Sequence, residues 1–171
     1  LPEFDDDARI GWHDEYLSFA IHGVPPALSA SDVESAARAS AMAWTDVRCA
    51  DLQVLVSGAT DDEAVGADGK NTIEFVYDWA ERGYLAEAAA TTEVVYEVRG
   101  EEAQIVEADI LINAEGFHWN VEGRRDGRDL QTVLTHEIGH AIGLLHPCGE
   151  EGAPDCDPSY DDSIMKPDYT G

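Results

Sequence analysis

The 171-residue sequence predicts an α+β fold, in which one twisted mixed sheet of about five strands carries a backing helix and a second helix rich in histidine. Short runs of β-branched and aromatic residues predict the strands, and segments with apolar residues at helical spacing predict the helices. Two of the strand runs are joined by a short turn that contains glycine, which indicates a hairpin. No repeat and no linker interrupts the chain, so residues 1–171 are predicted to form a single domain.

The first half of the chain predicts one helix among three strands. Apolar and β-branched runs bounded by turn-forming residues predict strands over residues 16–23, 52–57 and 72–77. Residues 32–47 have their apolar side chains at helical spacing, and Ser29 or Ser31 can cap this helix. Residues 58–71 are acidic and contain glycine, so they are expected to form a surface loop.

The second half predicts a hairpin followed by a helix. Residues 92–99 and 104–113 are the two strands, on either side of a turn at residues 100–103. A charged loop with several glycines follows over residues 123–129, and its last residue, Asp129, can cap the next helix. We expect this helix to lie under the sheet, with the hairpin at one edge of a cleft.

Residues 136–146 of this helical segment read H-E-x-x-H-x-x-G-x-x-H. On a helix, His136 and His140 are one turn apart and point to the same side. Gly143 tolerates the positive φ at which a helix can end, so the chain can turn back and bring His146 close to them. Three imidazoles at this spacing suit one zinc ion and leave its fourth position open, which is typical of a catalytic site.

Glu137 follows the first of these histidines, where its carboxylate can reach a water on the metal without becoming a ligand. The shorter H-E-x-x-H pattern also occurs on helices that bind no metal. Burying three histidines without a shared metal, however, would leave several ring nitrogens in need of separate partners. The extended pattern therefore favours one catalytic zinc, with Glu137 as the catalytic carboxylate.

The composition is strongly acidic, with 36 acidic residues against 10 basic ones and a net charge of −26. Such a charge repels nucleic acids and anionic membranes, so neither is expected as a partner. No apolar run is long enough to span a membrane. A solvated acidic surface that keeps the protein soluble is the favoured interpretation. A salty habitat, bound calcium and a preference for cationic substrates are alternatives, and we expect a monomer.

The three cysteines leave one without a partner in the chain if two of them pair. Cys148 and Cys156 bracket a loop rich in glycine, proline and aspartate, which suits a disulfide in a secreted protein. Cys49 is interpreted as a buried apolar residue or as one whose partner lies outside the chain. The first residues lack the pattern of a signal peptide, so residues 1–15 are interpreted as a mature N-terminus or the remnant of a pro-segment.

These residues resemble the metzincin clan of zinc endopeptidases, and within it the bacterial matrixin-like proteases. The resemblance rests on the motif at residues 136–146, on the segment 129–135 before it, and on the strand 105–113 with its Ala-Asp-Ile sequence. Residues 164–169 are similar to the Met-turn pattern Met-x-Pro-x-Tyr of matrixins. In the N-terminal half, the resemblance rests on the order of the elements and on Trp44 at the end of the first helix.

The resemblance implies a zincin-like catalytic domain that acts outside the cell on proteins or peptides. His136, His140 and His146 would bind the zinc, and Glu137 would act first as general base and then as general acid. Met165 would lie beneath the metal in the Met-turn, where it packs and is not a ligand. Tyr169 would approach the substrate cleft or the metal, or would pack in the core, which is the favoured interpretation. An extended substrate would lie antiparallel to an edge strand, for which the candidate is the strand at residues 92–99.

The sequence also departs from the matrixin pattern. His13, His22 and His118 are far apart, so no structural zinc is expected. An acidic stretch at residues 61–63, together with Asp68, could hold calcium but has no recognisable order of ligands. The loop at residues 147–162 is longer than its matrixin counterpart, so substrate specificity cannot be transferred from the family. Metzincins continue with a further helix after the Met-turn, and so we expect the chain either to be truncated or to lack that helix.

Two other functions stay open at this point. The chain could be a zinc-bearing module for binding or adhesion that catalyses nothing, although the presence of Glu137 disfavours this. It could instead be a latent precursor fragment, in which Glu3 or the acidic residues 5–7 place a carboxylate on the zinc. A flexible, solvated N-terminus is the favoured interpretation of these residues.

Overall fold

The computed structural model describes residues 10–48, 51–99, 102–121, 123, 127–149 and 154–167. Outside these ranges lie Cys49, Asp168, Tyr169, the acidic residues of the first nine positions, and residues 100 and 101 of the predicted hairpin turn. The elements follow the order β1 (Ile10–Trp12), β2 (Tyr16–His22), α1 (Ala30–Thr45), β3 (Gln53–Thr60), β4 (Asn71–Val76), β5 (Ala90–Arg99), β6 (Glu102–Asn113), β7 (Trp119–Asn120), β8 (Arg128–Asp129) and α2 (Leu130–Ala141), with a 3₁₀ turn at Pro158–Tyr160.

Six strands form one mixed sheet, which confirms the predicted α+β architecture. The parallel strands β3, β2, β4 and β6 lie side by side in that order, and β1 runs parallel to the first residues of β6. On the other side of β6, β5 runs antiparallel along its whole length. Within the described part of the chain, β5 pairs with β6 alone, so no other strand covers its outer edge. A separate ladder of two residues joins β7 to β8.

The sixth strand, β1, is the one element of this sheet that the sequence does not predict. It spans three residues, Ile10–Trp12, which is too short for an alternating pattern to be recognised. Its place is set by contacts with distant parts of the chain. Trp12 pairs with Ile105 of β6, and its indole N–H donates to the carbonyl of Ala141 at the end of α2 (2.7 Å).

The N-cap of helix α1 is Ser29, which is one of the two serines that the sequence offered for this role. The Ser29 hydroxyl accepts from the backbone N–H of Asp32, and the Asp32 carboxylate accepts from the backbone N–H of Ser29. This reciprocal pair is a capping box, which stabilises the first turn of the helix. The buried face of α1 is made of small residues, so the helix can approach α2 closely. At that contact the Ser40 hydroxyl donates to the carbonyl of Gln131 (2.8 Å).

Both helices pack on the same face of the sheet, over one apolar core. The largest contributions to this core come from the inward side chains of β2, β4 and β6 and from the buried face of α2: Leu17, Phe19, Ile73, Ile110, Ile112, Leu130, Leu134 and Ile138. Removing this area from water is the main stabilising contribution to the fold. Because α2 lies under β5 and β6, the core places the histidine motif beside the free edge of the sheet.

The opposite face of the sheet is covered by the loop at residues 61–70, which buried carboxylates hold in place. Glu107 of β6 accepts from the backbone N–H groups of Ala67 and Gly69, and Glu74 of β4 accepts from that of Ala64 (2.8 Å). The predicted surface loop is therefore anchored to the sheet. Burying these carboxylates is tolerated because each receives hydrogen bonds.

Candidate active site

The helix that carries the histidine motif is bounded as the sequence predicts. Its N-cap is Asp129, whose carboxylate accepts from the backbone N–H of Thr132 (2.9 Å). The helix ends at Ala141, and Gly143 has a φ of 99°, a conformation that glycine adopts without strain. The backbone N–H of Leu144 then donates to the carbonyl of Gly139 (2.9 Å), which closes the turn. The chain therefore reverses, and His146 returns towards the helix.

The three histidines of the motif meet at their Nε2 atoms. Each pair among His136, His140 and His146 has its Nε2 atoms 3.0 Å apart. The Nδ1 atom of His136 contacts the carbonyl of Ile164 at 2.7 Å, and that of His140 contacts the carbonyl of Leu144 at 2.8 Å. A carbonyl oxygen can only accept, so both Nδ1 atoms carry the proton. In the neutral rings, the lone pairs of Nε2 therefore face one another.

This arrangement fits a zinc ion. Ligand nitrogens at about 2.0–2.1 Å from a tetrahedral zinc are roughly 3.3 Å apart, close to the spacing observed here. Lone pairs that converge in this way repel one another unless a cation lies between them. Within the described ranges, these three residues are the one group of at least three histidine, cysteine or acidic side chains whose ligand atoms lie close enough together to hold a metal ion. Burial lowers the pKa of His136, which favours the neutral ring that a metal requires.

Glu137 is buried beside the triangle of histidine Nε2 atoms and accepts a hydrogen bond from a residue of the edge strand β5. Its side chain is 6% exposed, and the Thr92 hydroxyl donates to its Oε2 atom at 2.6 Å. Burial raises the pKa of Glu137, while the hydrogen bond from Thr92 acts in the opposite direction. Thr92 did not stand out in the sequence, since 45 residues separate it from Glu137. The only feature of the sequence that pointed to Thr92 was the predicted position of its strand at the edge of the cleft.

Met165 and Trp44 close around Gly139, which lies next to the second histidine. A Cβ atom on Gly139 would lie 2.3 Å from the Met165 sulfur and 2.9 Å from Cζ2 of Trp44. The Trp44 indole N–H donates to the carbonyl of Thr135 (2.8 Å), which fixes its ring against α2. The residue before Met165, Ile164, supplies the carbonyl that orients His136. The segment at Met165 therefore packs against α2 at Gly139, and its residue Ile164 also holds His136, a role that sequence reasoning missed.

The loop after His146 contains the predicted disulfide. Cys148 and Cys156 are bonded, and Cys148 is completely buried two residues after His146. The backbone N–H of Gly149 donates to the carbonyl of Pro154 (2.8 Å) inside the closed loop. The disulfide prediction is confirmed, and the bond restrains the chain where it leaves the third histidine.

The acidic stretch considered for calcium lies on the other face of the sheet, away from the histidines. Asp62 makes an ion pair with Lys70 at 2.8 Å, and Asp68 lies 3.8 Å from the same ammonium group. These exposed carboxylates are therefore partly neutralised by a lysine of their own loop, and the ammonium group lowers the pKa of Asp62. Among the described residues, they form no group with the ligand spacing of a metal site.

Comparison with known proteins agrees with the geometry. The family model described as Matrixin matches residues 11–170. A segment of 36 residues is 59% identical to Serralysin C of Dickeya chrysanthemi. This match covers 21% of the present chain and 7% of that protein, so the similarity is shown for one segment and not for the full length of either protein.

Proposed function

The chain belongs to the matrixin family of metalloproteases, and we propose that it is a zinc-dependent endopeptidase that hydrolyses peptide bonds in proteins. The observation that carries the proposal is the triangle of Nε2 atoms, 3.0 Å on each side, with the buried carboxylate of Glu137 beside it. A structural zinc site has four protein ligands, whereas this group has three, which leaves room for a reacting molecule.

His136, His140 and His146 would hold the zinc through Nε2. When bound, zinc would make a water molecule more acidic and polarise the carbonyl of the scissile peptide bond. Glu137 would accept the proton of the attacking water and hold it on its carboxylate. It would then deliver this proton to the nitrogen of the leaving amine. The raised pKa of Glu137, caused by burial, supports a carboxyl group that can keep a proton between the two steps.

The free edge of β5 supports the proposed binding mode for the substrate. Backbone N–H and C=O groups on the side of the strand away from β6 can pair with an extended peptide. Because Thr92 of this strand contacts Glu137, a peptide bound antiparallel to β5 would pass directly in front of the proposed site. The preferred sequence would depend on the loop at residues 147–162, which follows the third histidine.

We place the protein outside the cell as part of the same proposal. The Cys148–Cys156 disulfide supports an oxidising environment, since such bonds are rare in reducing compartments. No helix in the described ranges is long and apolar enough to cross a membrane. The monomeric state stays a prediction, which light scattering of the purified chain would test.

Replacing Glu137 tests the chemistry directly. We expect Glu137→Gln to keep one zinc per chain and to lose about a hundredfold or more of the turnover of casein, because an amide cannot accept the proton. Zinc content and initial rates, each with and without a zinc chelator, are the measurements. Glu81→Gln is the matched control, since Glu81 is an exposed glutamate away from the histidines. Undiminished turnover by Glu137→Gln would refute the assignment.

The other two functions predict different results in the same assay. A binding or adhesion module would take up zinc and yet cleave neither casein nor any member of a peptide library. A latent precursor would gain activity when residues 1–8 are deleted. We expect the intact chain to cleave with zinc and the deletion to cause no gain.

A further inference from the structure

One threonine of the edge strand makes a direct hydrogen bond to the proposed general base. Thr92 lies in β5 opposite Ile110 of β6, and its Oγ1 atom is 2.6 Å from Oε2 of Glu137. The same hydroxyl is 3.1 Å from the backbone carbonyl of Glu137. A carboxylate and a carbonyl only accept hydrogen bonds, so the hydroxyl is the donor. Its single proton lies mainly on the shorter bond, towards the carboxylate.

This bond restricts the orientation of the Glu137 carboxylate. Glu137 reaches the histidine triangle through three rotatable bonds, and a carboxylate in the wrong rotamer would not face the reacting water. The hydrogen bond holds the Oε2 atom, so the orientation of the carboxylate plane is set from β5. A hydrogen bond to a charged acceptor is stronger than one between neutral groups, which makes it an effective restraint.

The bond also connects the two elements that must be in register for the reaction. β5 would hold the extended substrate, and α2 carries both the base and two of the three histidines. The Thr92 hydroxyl contacts the side chain and the backbone carbonyl of one residue of α2. A shift of the strand along the helix would therefore break both contacts. The position of the base relative to the substrate depends on this one side chain.

We propose that Thr92 is a positioning residue: its hydroxyl holds Oε2 of Glu137, so that the other oxygen, Oε1, faces the water and afterwards the leaving amine nitrogen. The inference rests on the proposed function, because it assigns a purpose to the orientation of the base. Thr92 itself transfers no proton in this scheme. Its effect on the reaction passes through Glu137.

The kinetic test compares three threonine variants. Thr92→Val keeps the shape of the side chain and removes the hydroxyl, whereas Thr92→Ser keeps the hydroxyl. The control is Thr60→Val, which makes the same chemical change at the end of β3, at the opposite edge of the sheet. The Thr60 hydroxyl accepts a hydrogen bond from the backbone N–H of Asp62. With zinc bound to every variant, we expect kcat of Thr92→Val to fall about tenfold to a hundredfold with little change in KM. Thr92→Ser should stay within about threefold of the wild type, and Thr60→Val should equal it.

A second measurement needs no turnover and separates positioning from simple stabilisation. Crystal structures of the zinc-free Thr92→Val and Thr92→Ser proteins would show where the Glu137 carboxylate lies. We expect it to keep its place in the serine variant and to leave it, or to occupy more than one rotamer, in the valine variant. Thermal unfolding of the same proteins shows whether any loss of kcat is only a loss of folded molecules.

The outcomes distinguish this inference from the proposed function. If the wild type binds zinc and cleaves casein while Thr92→Val is equally fast, the role of Thr92 is refuted and the function stands. An unmoved carboxylate in Thr92→Val would also overturn it, as would a serine variant as slow as the valine variant. If the zinc-loaded wild type cleaves nothing, the proposed function fails, and the inference fails with it. We expect Thr92→Val to be slow and to have a displaced Glu137 carboxylate. Thr92→Ser should have the rate and the carboxylate position of the wild type.

Discussion

At the scale of the residue, Gly139 shows how tightly the helix of the histidine motif is packed. The sequence motif leaves this position unspecified, and nothing in the spacing of the histidines requires a glycine there. The structure supplies the reason, since the Met165 sulfur and the Trp44 ring occupy the space where a side chain would project. Gly139 is therefore needed for contacts made by two distant parts of the chain.

We expect Gly139→Ala to lower the free energy of unfolding of the zinc-free protein by about 1–3 kcal/mol, because the added methyl group must displace Met165 or Trp44. Zinc should also bind more weakly, since Met165 follows the residue whose carbonyl orients His136. Urea unfolding and zinc titration are the measurements. Gly66→Ala is the matched control, because a Cβ atom there would contact nothing within 4 Å. Equal stability of the two variants would contradict this account of Gly139.

At the scale of the element, the loop after α2 links the third histidine to the rest of the site. Its sequence shows two cysteines at a separation of eight residues, and the structure confirms that they are bonded. The bond begins two residues after His146, and the loop then leads to the segment of Ile164 and Met165. One loop therefore connects His146 to the carbonyl that holds His136. Restraining this loop stabilises two histidines together.

Replacing Cys148 and Cys156 together by alanine should cost about 2–3 kcal/mol of stability, because the unfolded chain regains the freedom that the closed loop removes. Zinc affinity should fall as well, since His146 would no longer be restrained from its C-terminal side. Denaturant unfolding and competition with a chelator of known affinity measure the two effects. A variant with the unfolding midpoint and the zinc affinity of the wild type would show that the loop is held by its other contacts.

At the scale of the whole molecule, the acidic composition is more than a property of the surface. The excess of 36 acidic over 10 basic residues favours a solvated surface as its explanation. Among the residues that the structure describes, four carboxylates are buried: Glu74, Glu107, Asp109 and Glu137. Three of them anchor backbone N–H groups on the outer face of the sheet, and Glu137 belongs to the proposed site. The stability of the fold must therefore depend on pH through buried groups as well as through surface charge.

Asp109 makes this dependence testable. Its carboxylate accepts from the backbone N–H of Thr72 (2.9 Å), and burial, which outweighs this bond, raises the pKa of Asp109 from 3.8 to about 6. The negative charges of Glu107, Asp68 and Glu93 act in the same direction as burial. The folded state therefore binds this proton more tightly than the unfolded state does. The contribution of Asp109 to stability is complete below about pH 4 and is lost as the pH rises through about 6.

We expect Asp109→Asn to remove the loss of stability that ionisation of Asp109 causes as the pH rises. The amide keeps an acceptor for Thr72 and carries no charge, so the variant should gain on the order of 1 kcal/mol relative to the wild type between pH 4 and pH 7. Unfolding by urea across this range is the measurement. Asp46→Asn, at an exposed position, corrects for the general effect of removing one negative charge. If the free energies of unfolding of Asp109→Asn and the wild type differed by the same amount at all pH values, the raised pKa of Asp109 would be contradicted.

How far the fold could be predicted differs between its elements. The two helices and the five strands β2 to β6 were expected within a few residues of their observed bounds, since their patterns are local. Strand β1 and the ladder of β7 and β8 were missed, because strands of two or three residues have no periodicity of their own. They are ordered by pairing with residues elsewhere in the chain. The same limit applies to the buried carboxylates of β6, because their hydrogen-bond partners lie in the loop at residues 61–70 and in β4.

The sequence by itself determined what depends on short separations: a serine cap at Ser29 or Ser31, the cap Asp129, the turn at Gly143, and three histidines and a carboxylate within 11 residues. Local hydrogen bonds and helical geometry set these features, so their pattern can be read from neighbouring residues. Only the tertiary structure decided which partners hold them. The carbonyl of Ile164 lies 28 residues from His136, and the Thr92 hydroxyl lies 45 residues from Glu137. Such contacts depend on how the sheet, α2 and the last loop pack around one core, and no local pattern specifies that packing.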